Sequence, residues 1–148
     1  MPLDEPAEHA LPDVSAWRGR TGTVLTSPAL RCRVEGSTIE PLLGPWDLGR
    51  WAGLPLLELP ELAAWRTDPA YDGHGGESAL ALAARVAGLD SRTSRIVAVT
   101  HAAVIRMAVL HALGAPVQAA WQLDIAPGSF TELHASGSGW RVARVNDH

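Results

Sequence analysis

Apolar residues in this chain gather into two kinds of run, and the two kinds take turns. Short β-branched stretches, "GTVLTS" at 22–27 and "RIVAVT" at 95–100, have strand length and are bounded by polar or turn residues. Nothing polar interrupts 96–99, which predicts a strand buried on both faces. Longer Ala- and Leu-rich stretches follow helical spacing: "LPELAAWRTD" (59–68), "SALALAARVAGLDSR" (78–92) and the buried "AAVIRMAVLHAL" (102–113).

The remaining segments are punctuated by Pro and Gly. Residues 5–18 predict a short irregular helix, cut by Pro6 and Pro12. Pro28 suits the first position of a short helix, "PALRCRVEG", closed by Gly36. Residues 37–55 carry too many Gly and Pro for long elements and predict a short strand, then loop; 69–78 is a flexible loop. "PVQAAWQL" is a short helix entered through Pro116. "GSFTELHAS" and "GWRVARVND" alternate around Ser-Gly-Ser-Gly and predict a β-hairpin. Strands alternating with helices and then a hairpin imply a mostly parallel α/β sheet with an antiparallel edge, in one domain over 1–148.

Composition narrows the classes without choosing among them. A chain of 148 residues with 47% hydrophobic and 19% charged residues suits one globular domain with a real core. Its net charge of −4 lacks the basic surplus that nucleic acid or an anionic membrane would call for. The start, "MPLDEPAEHALPD", is acidic and Pro-broken, unlike a signal peptide, and His101, Arg106 and His111 interrupt the apolar run at 96–113. Cys32 stands alone, which rules out an internal disulfide and gives no metal framework. A cytoplasmic protein without metal or cofactor is expected.

Candidate chemistry sits at two strand ends. His101 lies where a strand stops and a helix begins, the place where open α/β sheets bind ligands and where free helical N–H groups favour an anion. Arg31 and Arg33 follow strand 22–27 beside Thr26 and Ser27. If the two strands are parallel neighbours, Arg31 and His101 converge, and an arginine fork beside a helix start suits an oxyanion. Taken locally, the same residues also read as a capping serine and a solvated arginine.

Five segments, in order, resemble the histidine phosphatase superfamily, the phosphoglycerate-mutase-like fold. "TSPALRCRVEG" is similar to its Ser-Pro-x-x-Arg-Ala segment, "LGRWAG" to its Gly-x-Trp-Glu-Gly segment and "HGGES" to its Gly-Gly-Glu-Ser helix entry. "VAVTHAAVIRMAVLHALG" resembles its second-histidine motif, and "TELHASGSGWRVARVND" its closing hairpin. The resemblance implies a three-layer α/β/α fold and a small phosphorylated substrate. It makes His101 the second histidine, Arg31 the second arginine, and Ser27 and the Ala102 N–H part of the phosphate pocket.

The chain departs from the family's pattern in two places. The opening strand ending in Arg-His-Gly is not in this sequence, as expected of a divergent member or of one truncated at its N-terminus, since "PLDEPAEHA" aligns with the segment after it; His9 is the only nearby histidine, among acidic and Pro residues. The family's acid would fall at Pro45, which cannot transfer a proton. Asp47 is the candidate substitute, and Glu77 is a carboxylate expected near the pocket, or else a first-turn helix acid. Trp46 and Trp51 flank Asp47 and line a substrate pocket or fill the core. Arg106 reads as a buried structural arginine, His111 as a rim or core residue, His74 as part of a covering loop, and Cys32 as a small buried thiol.

A missing central strand predicts that the sheet closes up directly or that a second copy covers the gap in a homodimer. Three functions remain open. One is a divergent phosphatase-like enzyme with altered chemistry on a small phosphorylated metabolite. Another is a repurposed pocket using His101 as general acid/base for an isomerase, lyase or cyclase reaction on a non-phosphorylated metabolite. The last is a non-catalytic phosphate-binding domain. At a helix start His101 is expected to stay neutral near pH 7.

Overall fold

Residues 23–89, 96–136 and 139–147 are described in this computed structural model. The irregular helix expected at 5–18 and His9 lie outside them. Strand β1 (Thr23–Thr26) is followed by a 3-10 turn at Leu30–Cys32, strand β2 (Thr38–Ile39) and 3-10 turns at Pro41–Leu43, Gly49–Trp51 and Leu56–Glu58. Then come α1 (Leu62–Thr67), α2 (Ala79–Ala87), β3 (Ile96–Val99), α3 (Ala102–Leu113), a 3-10 stretch at Val117–Gln122, and the hairpin of β4 (Phe130–Ser136) and β5 (Gly139–Asp147). The result is a mixed α/β fold with a parallel sheet and a C-terminal antiparallel hairpin.

β1 is the middle strand, parallel to β2 on one side and to β3 on the other, with Thr26 opposite Val99. The hairpin forms a separate sheet. Among the described strands the sheet therefore does not close up, which corrects one of the two expected remedies for the missing strand. The same fact corrects the burial expected for β3. With no described strand on its second side, Ala98 is exposed and Ile96, Val97 and Val99 are half-buried.

The helix expected over 28–36 is also shorter than its pattern. Only one turn forms, closed by bonds from Cys32 N–H to Ala29 O and Arg33 N–H to Leu30 O, and Arg33 is already extended. The chain has only the few residues between Thr26 and Thr38 in which to turn back and lay β2 beside β1, and a full helix would overrun them.

Helix α3 keeps the bounds its pattern predicts. Gly114 ends it with a φ of 66°, donating to His111 O while Ala115 N–H reaches back to Leu110 O. Ser78 caps α2 by accepting the Ala81 N–H. Leu82 and Val86 of α2 meet Val104, Met107 and Leu110 of α3, with Leu43, Ala79 and Ala120 completing the core. Burying each of the larger side chains is worth about 1.5–3 kcal/mol, which fixes the start of α3 against the sheet. Among the described residues, no helix is long and apolar enough to cross a membrane.

Candidate functional site

Because β1 and β3 run parallel in register, the residues that follow them leave the sheet side by side. The Ser27 N–H donates to Val99 O at 2.9 Å and prolongs the ladder by one residue. The turn at Leu30–Cys32 then folds Arg31 and Cys32 back over the strand ends. Arg31 Nη2 lies 2.7 Å from His101 Nδ1, and Ser27 Oγ lies 2.7 Å from His101 Nε2. Cys32 Sγ is 3.9 Å from the same Nε2 and from Thr100 O. Ser27, Cys32 and His101 are all buried.

A guanidinium has only donors, so Nδ1 must accept from Arg31. On the other side of the ring, Ser27 Oγ accepts the Ala29 N–H at 3.2 Å. His101 is the N-cap of α3, and Ile105 N–H to His101 O is the first bond of that helix's ladder. The N–H groups of Ala102, Ala103 and Val104 have no acceptor within the helix, which leaves its positive end beside Arg31 and the ring.

A second cluster is built on Glu77, at the entry to α2. Arg85, two turns into α2, grips its carboxylate with Nε to Oε2 at 2.8 Å and Nη2 to Oε1 at 2.9 Å. The remaining Arg85 donors hold the carbonyls of Leu42, Gly44 and Pro45, and the Asp47 N–H donates to Glu77 Oε1. Burial pushes the Glu77 carboxyl up, but the bonds from Arg85 and the Asp47 N–H and the charge of Arg85 outweigh it. The group is held below its ordinary value. Asp47 itself is exposed, and its Oδ1 accepts the Gly49 N–H at 3.0 Å.

Glycine makes this loop-on-loop contact possible. A Cβ at Gly49 would collide with the His74 carbonyl, and one at Gly76 with the Asp47 carbonyl. Thr100 Oγ1 donates to Leu43 O at 2.6 Å and ties the loop to the residue before His101. The structure thus brings Ser27, Arg31, His101 and Ala102 to one point, and Trp46, Asp47 and Glu77 to a second point joined to it through Leu43 and Thr100. No described hydrogen bond joins Asp47 or Glu77 to His101 directly. Arg85, which organises the second point, escaped the sequence reading; a lone arginine inside an apolar helix was its only signal.

The tryptophans divide between roles. Trp51 is buried, stacked on Tyr71 and edge-on to Trp65 and His74. Trp46 is half-buried, donates Nε1 to Glu77 O, and borders a shallow open depression with Trp121, Arg106, Ala79 and Ala103. His74 is buried, with Nδ1 accepting the Gly76 N–H. His74 Nε2 and Trp65 Nε1 have no hydrogen-bond partner and lie among ring faces, which can accept weakly from such donors. Arg106 donates Nε to Leu123 O, and His111 is exposed in the last turn of α3. No group of three or more His, Cys, Asp or Glu among the described residues could hold a metal ion.

Comparison with known proteins places this geometry. The sequence profile of the histidine phosphatase superfamily (branch 1) matches residues 22–148. No protein of curated function matches the sequence at a comparable level. Among solved structures, a mycobacterial glucosyl-3-phosphoglycerate phosphatase in complex with inorganic phosphate superposes with a TM-score of 0.69 at 25% identity, over 95% of this chain and 81% of that one. A phosphoserine phosphatase from Entamoeba histolytica in complex with 3-phosphoglyceric acid gives a TM-score of 0.75 at 15% identity, over 97% and 81% of the two chains.

Proposed function

The chain belongs to the histidine phosphatase superfamily, and on that footing we propose that it is a divergent phosphatase-type enzyme acting on a small phosphorylated metabolite through Arg31 and His101. One observation carries the reading. A guanidinium and an imidazole meet at 2.7 Å, at the ends of two parallel strands and the start of an α-helix. A phosphoryl group arriving there offers Arg31 a charged acceptor, and charge-assisted bonds are roughly twice as strong as neutral ones. The free N–H groups at Ala102 and Ala103 lie at the same end. Ser27 acts on the inner side of the ring.

The proposed chemistry is hydrolysis of the phosphate ester: a water oxygen bonds to phosphorus, and the proton it loses restores the one given to the leaving oxygen. The bond from phosphorus to the leaving oxygen breaks, and that oxygen takes a proton. Asp47 is the proposed donor. Glu77 is unsuited to the step, because both its oxygens are engaged and its carboxyl is held ionised. Trp46 would border the rest of the substrate, with Trp51 bracing it only through Trp65.

An aryl phosphate assay combined with inorganic phosphate titration tests the reading. His101→Ala and Arg31→Ala should each remove both activities; hydrolysis that survives His101→Ala would overturn it. The reading also includes a cytoplasmic homodimer. The second edge of β3, unpaired among the described strands, supports association, and sedimentation would show a monomer if that part is mistaken.

A further inference from the structure

We infer that Ser27 and Arg31 together hold His101 as the neutral Nε2–H tautomer in the free protein, and that an oxyanion draws Arg31 off Nδ1 so that the ring takes up a proton as the anion binds. This rests on the reading that Arg31 and His101 receive an oxyanion. It assigns Ser27 as a positioning residue that acts through the ring.

The argument follows from the donor inventory. With Arg31 Nη2 pointing at Nδ1 from 2.7 Å, no proton can reside there, and Ser27 Oγ at 2.7 Å offers the acceptor that Nε2–H requires. Ser27 is itself fixed by the Ala29 N–H. Among the described residues with recorded bonds to the ring, Arg31 and Cys32 can carry charge or titrate, while Ser27 does neither. A buried imidazolium beside a guanidinium would be costly, which favours the neutral ring. A dianion reverses both conditions. It competes for the Arg31 donors, vacating the Nδ1 lone pair, and its charge stabilises an imidazolium. The proton comes from solvent and lands on Nδ1, so that a second cation faces the anion. Nε2–H stays on Ser27 throughout.

Two measurements on the intact protein test this. The ¹⁵N shifts of the His101 ring without anion should show the Nε2–H tautomer at neutral pH; an Nδ1–H tautomer or an imidazolium would overturn the inference. Sulfate, whose charge is constant over the working range, should bind with uptake approaching one proton, read calorimetrically in two buffers of different ionisation heat. Its affinity should fall roughly tenfold per pH unit on the alkaline side. Ser27→Ala should weaken sulfate binding several-fold and flatten that slope, with Ser27→Thr restoring it. Sulfate binding that depends on Arg31 but takes up no proton would refute the inference and leave the site reading intact. No sulfate binding, or binding indifferent to Arg31→Ala, would remove both.

Discussion

Arg85 and Arg31 both hold acceptors at under 3 Å, yet they are held in opposite ways. Arg85 meets a carboxylate with two parallel N–H groups and covers three carbonyls with the others, so all its donors go to a single half-buried arrangement. Arg31 gives Nη2 to Nδ1 of the His101 ring. The first arrangement has nothing to gain from a ligand. In the second, an incoming dianion is a better acceptor than the one it displaces. Two arginines of one chain thus separate into a structural clamp and a candidate ligand group by what faces them.

The largest expected effect comes from breaking the exchangeable side. Arg31→Ala should lower aryl phosphate turnover or phosphate affinity by about 100-fold or more, with a thermal midpoint within a few degrees of the parent. Arg31→Lys should recover only part, because a lysine cannot present a fork. If Arg31→Ala unfolded the protein as readily as a change at Arg85, the distinction would collapse.

The clamp should respond in the other way. Arg85→Ala leaves the Glu77 carboxylate and three carbonyls without their donors, and urea denaturation should show a loss of about 2–4 kcal/mol. Acid sharpens the same point. The folded-state pKa of Glu77 lies below the ordinary 4.5, so its stabilising contribution is fully present above that value. That contribution is lost as pH falls through the lower folded value. The stability gap between the parent and Glu77→Gln, measured by urea melts across this range, should therefore close in acid; a gap that stays constant would mean the ion pair is not its source. The smallest effect belongs to the entry of α2, where Ser78→Ala should cost about 1 kcal/mol by freeing the Ala81 N–H.

How much of this was legible beforehand depended on how local each cause is. The bounds of α3 were readable because the β-branched run gives way to an Ala- and Leu-rich one at its start and Gly114 ends it. The hairpin was readable from its alternation around Ser-Gly-Ser-Gly. The convergence of Arg31 and His101 was conditional on β1 and β3 being parallel neighbours, and the pairing supplies that condition. The burial of β3 was misread because an apolar strand looks the same whether or not another strand lies beside it. The work of Arg85 could not be read at all, since its carbonyl acceptors lie far back in the chain and carbonyls leave no mark on a sequence.

By itself, then, the sequence determined the alternation of strands and helices, the start and stop of α3, and the placing of a histidine and an arginine at strand ends. Those follow from side-chain periodicity, turn chemistry and capping, which act over a few residues. Only the tertiary structure decided which arginine became a clamp and which faced a ring, and that the hairpin forms a sheet of its own among the described strands. Each of those depends on which acceptor or strand another part of the chain brings within hydrogen-bonding distance, and that partner is set by packing.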